Sequence, residues 1–150
     1  MSRLVHKADF ERLLATRSRG RSAHFAVHHV LGVPAPSARA SARAGADGLS
    51  TGDGQAVSED VDNSPVTQWL GCIVPKRQAR RAVTRNLLKR QMRECFLRHA
   101  ATLPKGLWLL RLHAGFVVRD YPSARSDLLA LSARAELERL LAAAASGTAR

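Results

Sequence analysis

Long apolar segments and abundant cysteine are both missing from this chain. No run of roughly 18 apolar residues occurs, so no membrane-spanning helix is expected. The first residues lack the apolar core of a signal peptide, and we expect them to belong to the mature protein. There are only two cysteines: Cys72 lies in the apolar run WLGCIV, and Cys95 falls on the apolar stripe of a predicted basic helix. They are predicted to be core thiols, which suits a reducing cytoplasm.

Recognisable catalytic motifs are also absent. The chain shows no Ser-His-Asp spacing, no P-loop and no glycine-rich dinucleotide turn. His24 and His28 are four residues apart, a spacing that chelates a metal on a helix. On a strand the same spacing separates them by about 13 Å, and no cysteine or carboxylate cluster is nearby. We therefore predict no catalytic residue and no metal ligand in this chain.

The charge balance points to a polyanionic partner. The chain has 150 residues, with 24 Lys and Arg against 12 Asp and Glu, a formal net charge of +12. This length suits a single domain, here residues 1–150. Neutralising phosphates and releasing their counterions drives binding of such a protein to nucleic acid. The charge alone does not distinguish DNA from RNA.

Residues 34–66 differ in composition from the rest of the chain. They are rich in Ala, Ser, Gly, Asp and Pro, and they contain two arginines and five acidic residues, a net charge of −3. Such a segment buries too little apolar surface to offset its ordering entropy. It is predicted to be a disordered, functionally inert surface insertion, or a weak acidic competitor for the basic face.

Residues 76–93, KRQARRAVTRNLLKRQMR, form the most basic stretch. Eight of these eighteen residues are Lys or Arg, and none is acidic. If a helix begins at Ala82, its period of 3.6 residues creates one apolar stripe. That stripe consists of Leu88, Met92, Cys95 and Phe96. Beside it lies a cationic face formed by Arg85, Asn86, Lys89, Arg90 and Arg93, preceded by a basic turn with Lys76, Arg77, Arg80 and Arg81.

This cationic face has three interpretations. Like charges four residues apart cost a few tenths of a kcal/mol per pair in an isolated helix. A merely solvated face normally mixes both signs, and this one does not. A helix lying on a membrane normally has a wider apolar stripe with Trp. Binding to nucleic acid is therefore the favoured interpretation.

The remaining periodicity predicts an α/β (α+β) two-layer sandwich, in which helices cover a small sheet. Asp9 is the predicted N-cap of the first helix, and Phe10, Leu13 and Leu14 share one of its sides. In the first strand, His24 and His28 are predicted to point to the face opposite Phe25. The predicted elements are helix 9–16, strand 23–33, strand 67–75, the basic helix, strand 106–118 and helix 123–146.

The segment LGCIVPKR followed by AVTRNLLKRQMRECF resembles the signature of the bacterial ribonuclease P protein family. The matching residues are Ala82, Val83, Arg85, Asn86, Lys89, Arg90, Arg93, Glu94 and Phe96. Three features depart from the family pattern. Leu87 replaces an arginine, the turn PKRQARR lacks the usual glycine, and His28 stands where an aromatic residue is expected.

The resemblance implies a fold and a role. The fold is a mixed sheet with a left-handed βαβ crossover through the basic turn, an exception to the general rule. The role is that of an accessory subunit of an RNA enzyme that removes the 5′ leader from precursor tRNA. The catalytic groups and the Mg²⁺ ions then belong to the RNA, and the protein alone binds no cofactor. A cytoplasmic monomer in a 1:1 complex with the catalytic RNA is expected.

The resemblance also divides the candidate residues between two RNA ligands. The basic turn and the cationic face are expected to bind the catalytic RNA. Phe10, Leu14 and His28 are expected to bind the single-stranded leader, since flat side chains in a basic groove suit single strands. Ordinary core packing is the alternative for Phe10. The competing functions are an RNA chaperone, a ribosome-associated RNA-binding protein, and a self-sufficient nuclease that uses the histidines.

Overall fold

The computed structural model describes residues 1–35, 67–117, 119–123 and 126–147. Nearly all of the predicted insertion at 34–66 therefore lies outside the described residues. None of the helices in these ranges is long and apolar enough to cross a membrane. The elements in chain order are β1 (Ser2–Arg3), α1 (Lys7–Ala15), β2 (Gly20–Arg21), β3 (Phe25–Val30), β4 (Gln68–Ile73), α2 (Ala82–His99), β5 (Gly106–Leu112) and α3 (Asp127–Ala145).

The five strands form one mixed sheet in the order β1-β4-β5-β3-β2. β4 is parallel to both β1 and β5, whereas β3 is antiparallel to both β5 and β2. The predicted mixed sheet and its βαβ unit, β4-α2-β5, are thus confirmed. The left-handed sense of that crossover stays a prediction. The two-residue strands β1 and β2 had no periodic signal in the sequence because they are too short to alternate.

One face of the sheet carries the main core, against α2 and α3. Trp108, Leu110 and Leu112 of β5 point to this face because alternate side chains of a strand share a side. The predicted stripe of α2 packs here, and all four of its residues are buried. Leu129, Leu137, Leu140 and Leu141 of α3 are buried as well, as their spacing predicted.

The other face of the sheet carries α1. Leu107 and Leu109 of β5 pack there with Leu13 of α1 and with Leu4. The two predicted layers are the sheet and, packed on one of its faces, the pair of helices α2 and α3. Helix α1 covers part of the opposite face.

The predicted N-cap of α1 was wrong. The helix begins at Lys7 after His6, so Asp9 lies inside its first turn. Asp9 is buried, and its Oδ1 accepts a hydrogen bond from the Ala35 N–H at 2.9 Å. The carboxylate therefore binds the backbone at Ala35 instead of capping the N-terminus of α1.

Two further boundaries differ from the sequence prediction. β5 ends at Leu112, because the next two N–H groups, of His113 and Ala114, donate to the carbonyl of His24. α3 begins at Asp127, after Ser126, whose Oγ accepts from the Leu129 N–H at 3.2 Å. Burial raises the pKa of both the Cys72 and the Cys95 thiol to about 11. Both thiols pack in the core, as predicted.

Candidate nucleic-acid interface

The predicted cationic face lies on the side of α2 that is not buried in the core. Asn86, Arg90 and Arg93 are exposed, and Arg85 and Lys89 are partly buried. The separation of apolar stripe and cationic face follows from helical geometry alone. Leu87, which replaces the arginine of the family pattern, is partly buried and packs against the main core. Position 87 points away from Arg85, Lys89 and Arg93, so the substitution leaves this cationic row intact.

Arg85 has a structural role that its position on the helix does not predict. Its Nη1 donates to the carbonyl oxygens of Ala79 and Arg80, at 3.1 and 2.6 Å. These carbonyls lie just before α2, so the guanidinium fastens the basic turn to the helix. Fewer of its donors remain for RNA than the sequence analysis assumed.

The charges on the cationic face are not equally available. Arg90 donates through Nε to Glu94 Oε1 at 2.8 Å, an exposed ion pair within one helical turn. In the part of the chain that the structure describes, Lys89 and Arg93 have no ion-pair partner. These two are therefore the helix cations that are most available to a phosphate.

A third cation, Arg3, joins Lys89 and Arg93 at the β1–β4 edge of the sheet. Burial raises the pKa of the Cys72 thiol, and the charges of Arg93, Lys89 and Arg3 oppose that rise. All three side chains are thus close enough to act on one atom of β4. β1 pairs with β4, with Arg3 opposite Leu70. No sequence signal could have selected Arg3, because this pairing joins distant parts of the chain.

The basic turn between β4 and α2 closes without glycine. The N–H groups of Gln78 and Ala79 both donate to the Pro75 carbonyl, at 3.0 and 3.1 Å. Among the described residues, only glycines have positive φ, so the turn needs no left-handed residue. Its four basic side chains are exposed: Lys76, Arg77, Arg80 and Arg81. The turn and α2 together form one continuous basic surface.

The predicted leader residues lie on the other face of the sheet, beside α1. Gly71, Leu109 and His28 form one cross-strand row by their register. The ring of Phe10 covers Gly71, where an added Cβ would lie 2.6 Å from Phe10 Cε1. Phe10 is partly buried and packs in the α1 core, and Leu14 is 38% exposed. The fold therefore brings Phe10 and His28 to one face, with Phe10 partly used for packing.

His28 is more enclosed than its predicted role requires. It is only 8% exposed. Its Nδ1–H donates a hydrogen bond to the Thr16 carbonyl, with a distance of 3.1 Å between Nδ1 and the oxygen. Burial lowers the pKa of His28, and the charge of Arg111 lowers it further. The ring is neutral at neutral pH and offers little free surface. Its contact with the leader stays a prediction that its burial disfavours. Arg111, which the sequence analysis missed, supplies positive charge beside it.

The predicted direction of His24 was wrong. His24 precedes β3 and turns towards α3, where its Nδ1 lies 2.8 Å from Glu136 Oε2. Its ring stacks on Phe116 with centroids 4.0 Å apart. Burial opposes ionisation of Glu136, but hydrogen bonds from Ser22 Oγ and from His24 outweigh it, so the Glu136 pKa lies below its ordinary value. His24 therefore contacts α3 on one side of the sheet, whereas His28 lies on the side that carries α1.

Comparison with known proteins matches this chain to ribonuclease P proteins. The family model described as Ribonuclease P matches residues 1–136. The chain is 46% identical over 81 residues to the ribonuclease P protein component of Burkholderia pseudomallei (strain 1106a), covering 54% of the chain and 60% of that relative. It is 40% identical over 78 residues to the same component of Bordetella bronchiseptica, covering 52% of the chain and 59% of that relative.

A solved structure of the Staphylococcus aureus RNase P protein superposes with a TM-score of 0.59 at 19% identity. This match covers 96% of the chain and 95% of the solved protein, and it supports the fold.

Proposed function

The chain belongs to the ribonuclease P protein family, and from that membership we propose that it is the protein subunit of ribonuclease P. In this role it binds the catalytic RNA and the 5′ leader of precursor tRNA, and it assists endonucleolytic removal of the leader. The aligned part covers about three fifths of the relatives' length. The activity, the substrate and the partners therefore rest on this proposal.

The basic surface of the turn and α2 is the observation that carries the proposal. Its eight basic side chains include Lys89 and Arg93, which have no carboxylate partner within the described ranges. Cations without internal partners cost folding free energy through mutual repulsion, and a phosphate backbone removes that cost. Arginine adds a planar fork that suits pairs of phosphate oxygens. This surface fits the catalytic RNA as its ligand.

The opposite face of the sheet fits the second ligand. Phe10, Leu14 and His28 lie there beside α1, with Arg111 on the same face. A single strand needs flat or apolar side chains for its bases and a cation for its backbone. We assign the leader to this face and the catalytic RNA to the turn and α2.

The proposal leaves the chemical step to the RNA. In the described portion of the chain, no three His, Cys, Asp or Glu side chains converge as a metal-ligand set. The protein contributes binding and positioning as a monomer in a 1:1 complex with the catalytic RNA, in the cytoplasm.

Reconstitution with the catalytic RNA of the same genome tests the function. We expect cleavage of precursor tRNA at its 5′ leader only when both components are present at a limiting Mg²⁺ concentration. Cleavage by the protein alone would instead establish a self-sufficient nuclease. RNA annealing without any effect on leader removal would establish a chaperone.

A further inference from the structure

A cavity of about 540 Å³ lies beneath the basic turn. The basic turn forms one side of it, and the segment after β5 forms the other. Leu88 of α2 and Leu129 of α3 are buried and form its apolar floor, and Arg77, Arg80 and Arg81 surround its mouth. Cavities of roughly 300–1,000 Å³ commonly hold small ligands in proteins. The cavity shares Arg77, Arg80 and Arg81 with the basic surface, but unlike that surface it is concave and partly apolar.

The two sides of the cavity are tied together. Gln78 Nε2 of the turn donates to the His113 carbonyl at 2.9 Å. Gly115 allows the close approach, since an added Cβ there would lie 2.6 Å from the Gln78 carbonyl oxygen. At the mouth, Arg81 Nη1 donates to the Pro122 carbonyl at 3.1 Å. These contacts connect the basic turn to the segment after β5 on both sides of the cavity.

An aromatic pair forms one wall of the cavity. Phe116 meets Tyr121 edge to face, with ring centroids 5.7 Å apart and an interplanar angle of 86°. Phe116 also stacks on the ring of His24, which Glu136 holds in place, and it meets Phe25 with ring centroids 6.0 Å apart. Phe116 is therefore fixed by its neighbours. Tyr121, on the loop, is partly buried and lines the cavity, and among the described residues Phe116 is the one aromatic ring in contact with it.

The mouth of the cavity is cationic and lacks counter-charges. Among the residues that the structure describes, no carboxylate lies within ion-pair distance of Arg77, Arg80 or Arg81. Arg77 and Arg80 are exposed, so their guanidinium groups are free to meet an anion at the mouth. An apolar ligand would leave these charges unused. An inorganic anion would leave the aromatic wall and the apolar floor unused.

We infer that this cavity takes one unpaired nucleotide of a bound RNA. The base lies against Tyr121 over the apolar floor, and the phosphate meets Arg77 and Arg80 at the mouth. The inference rests on the proposed RNA-binding function and adds a base-recognition site to it. The nucleotide comes from the catalytic RNA or from the precursor tRNA, and the experiment below separates these two sources.

Affinity measurements with Tyr121→Leu and Tyr121→Phe test the inference. Loss of stacking on one aromatic ring is expected to weaken RNA binding about 5- to 150-fold in the leucine variant. The phenylalanine variant keeps the ring and should bind within about twofold of wild type, since stacking needs only the π face. Neither change removes a charge, so the salt dependence of binding should stay that of wild type. Arg80→Gln should instead lower the salt slope by about 0.7 to 0.9.

Two binding measurements, one with the catalytic RNA and one with precursor tRNA, identify the source of the nucleotide. A loss towards the catalytic RNA assigns the nucleotide to that RNA. A loss confined to precursor tRNA, measured on the assembled holoenzyme, assigns it to the substrate. Wild-type affinity of Tyr121→Leu in both measurements would overturn the inference. If wild type itself bound neither RNA, the proposed function would fail instead.

A spectroscopic readout separates contact from a merely structural role. The chain contains one tyrosine, so protein labelled with 3-fluorotyrosine gives a single ¹⁹F resonance that reports on Tyr121. Formation of the RNA complex should shift this resonance, and inorganic phosphate alone should not reproduce the shift. An unchanged resonance in the saturated complex, or the same shift with phosphate, would exclude a stacked base.

Discussion

Replacing Lys89 and Arg93 together by glutamine tests the basic face of α2 most directly. Both side chains lie outside the buried stripe, and neither has a carboxylate partner in the described ranges. Glutamine is nearly as good a helix former as lysine or arginine. Surface changes of this kind alter the free energy of unfolding by about 0.5 kcal/mol or less. The double variant should therefore fold as well as wild type.

The expected effect on RNA binding follows from counterion release. Each lost phosphate contact lowers the slope of log affinity against log salt by about 0.7 for single strands and about 0.9 for a duplex. Two contacts then remove about 1.4 to 1.8 from the slope. If the two proteins bind equally at about 1 M salt, the variant binds about 25- to 60-fold more weakly at about 0.1 M.

The assay is equilibrium binding of the catalytic RNA over a range of salt concentrations. Arg139→Gln is the matched control, because it removes one exposed arginine from α3 and not from α2. Its salt slope should stay close to that of wild type. Arg85 is a poor choice for this test, since its hydrogen bonds to Ala79 and Arg80 also hold the turn. An unchanged salt slope in the folded double variant would refute the assignment of this face to RNA.

Three further predictions concern other parts of the chain. Phe10→Leu should weaken binding of precursor tRNA with a leader of several nucleotides by about 5- to 150-fold and leave affinity for the catalytic RNA unchanged. A loss independent of leader length would show that Phe10 serves only the core. Glu136→Gln should lower the free energy of unfolding at pH 7 by about 1 to 3 kcal/mol, because the carboxylate accepts from Ser22 and His24. The pKa of Glu136 is lowered in the folded state, so this contribution exists above its ordinary value of 4.5 and is lost as pH falls through the folded pKa. Urea unfolding should therefore show a smaller difference at pH 3, and an equal difference at both pH values would contradict the argument. Deleting residues 36–64 should leave the thermal transition and RNA-dependent processing nearly intact, and a collapse of the transition would show that the segment is structural.

The basic helix α2 shows which structural features the spacing of apolar residues can predict. Its four buried residues and its charged side follow from a spacing that can be counted along the chain, once a helix is assumed to begin at Ala82. Helical geometry fixes which side chains share a face, whatever the rest of the fold does. The use of each charge does not follow from that spacing. Arg85 fastens the turn and Arg90 pairs with Glu94, so the availability of the five polar positions differs.

The histidines show the limit of the same reasoning for strands. Alternation places His24 and His28 on one face only if both belong to the strand. His24 lies outside it, because its ring and backbone N–H bond to Glu136 of α3. His28 follows the alternation but becomes enclosed by the chain after α1. In both cases a partner distant in the sequence decided the outcome.

The amino-acid sequence was enough to predict the main helices and strands, the buried stripe of α2, the family and the basic surface. These features depend on local spacing and on residue type, which the chain carries without reference to its fold. Only the tertiary structure decided that Arg3 joins the cations of α2, that Phe10 covers Gly71, and that the basic turn and the segment after β5 enclose a cavity. Each of these depends on the register and pairing of segments far apart in the chain. Such pairings are fixed by the collective packing of the core, and no single stretch of sequence specifies them.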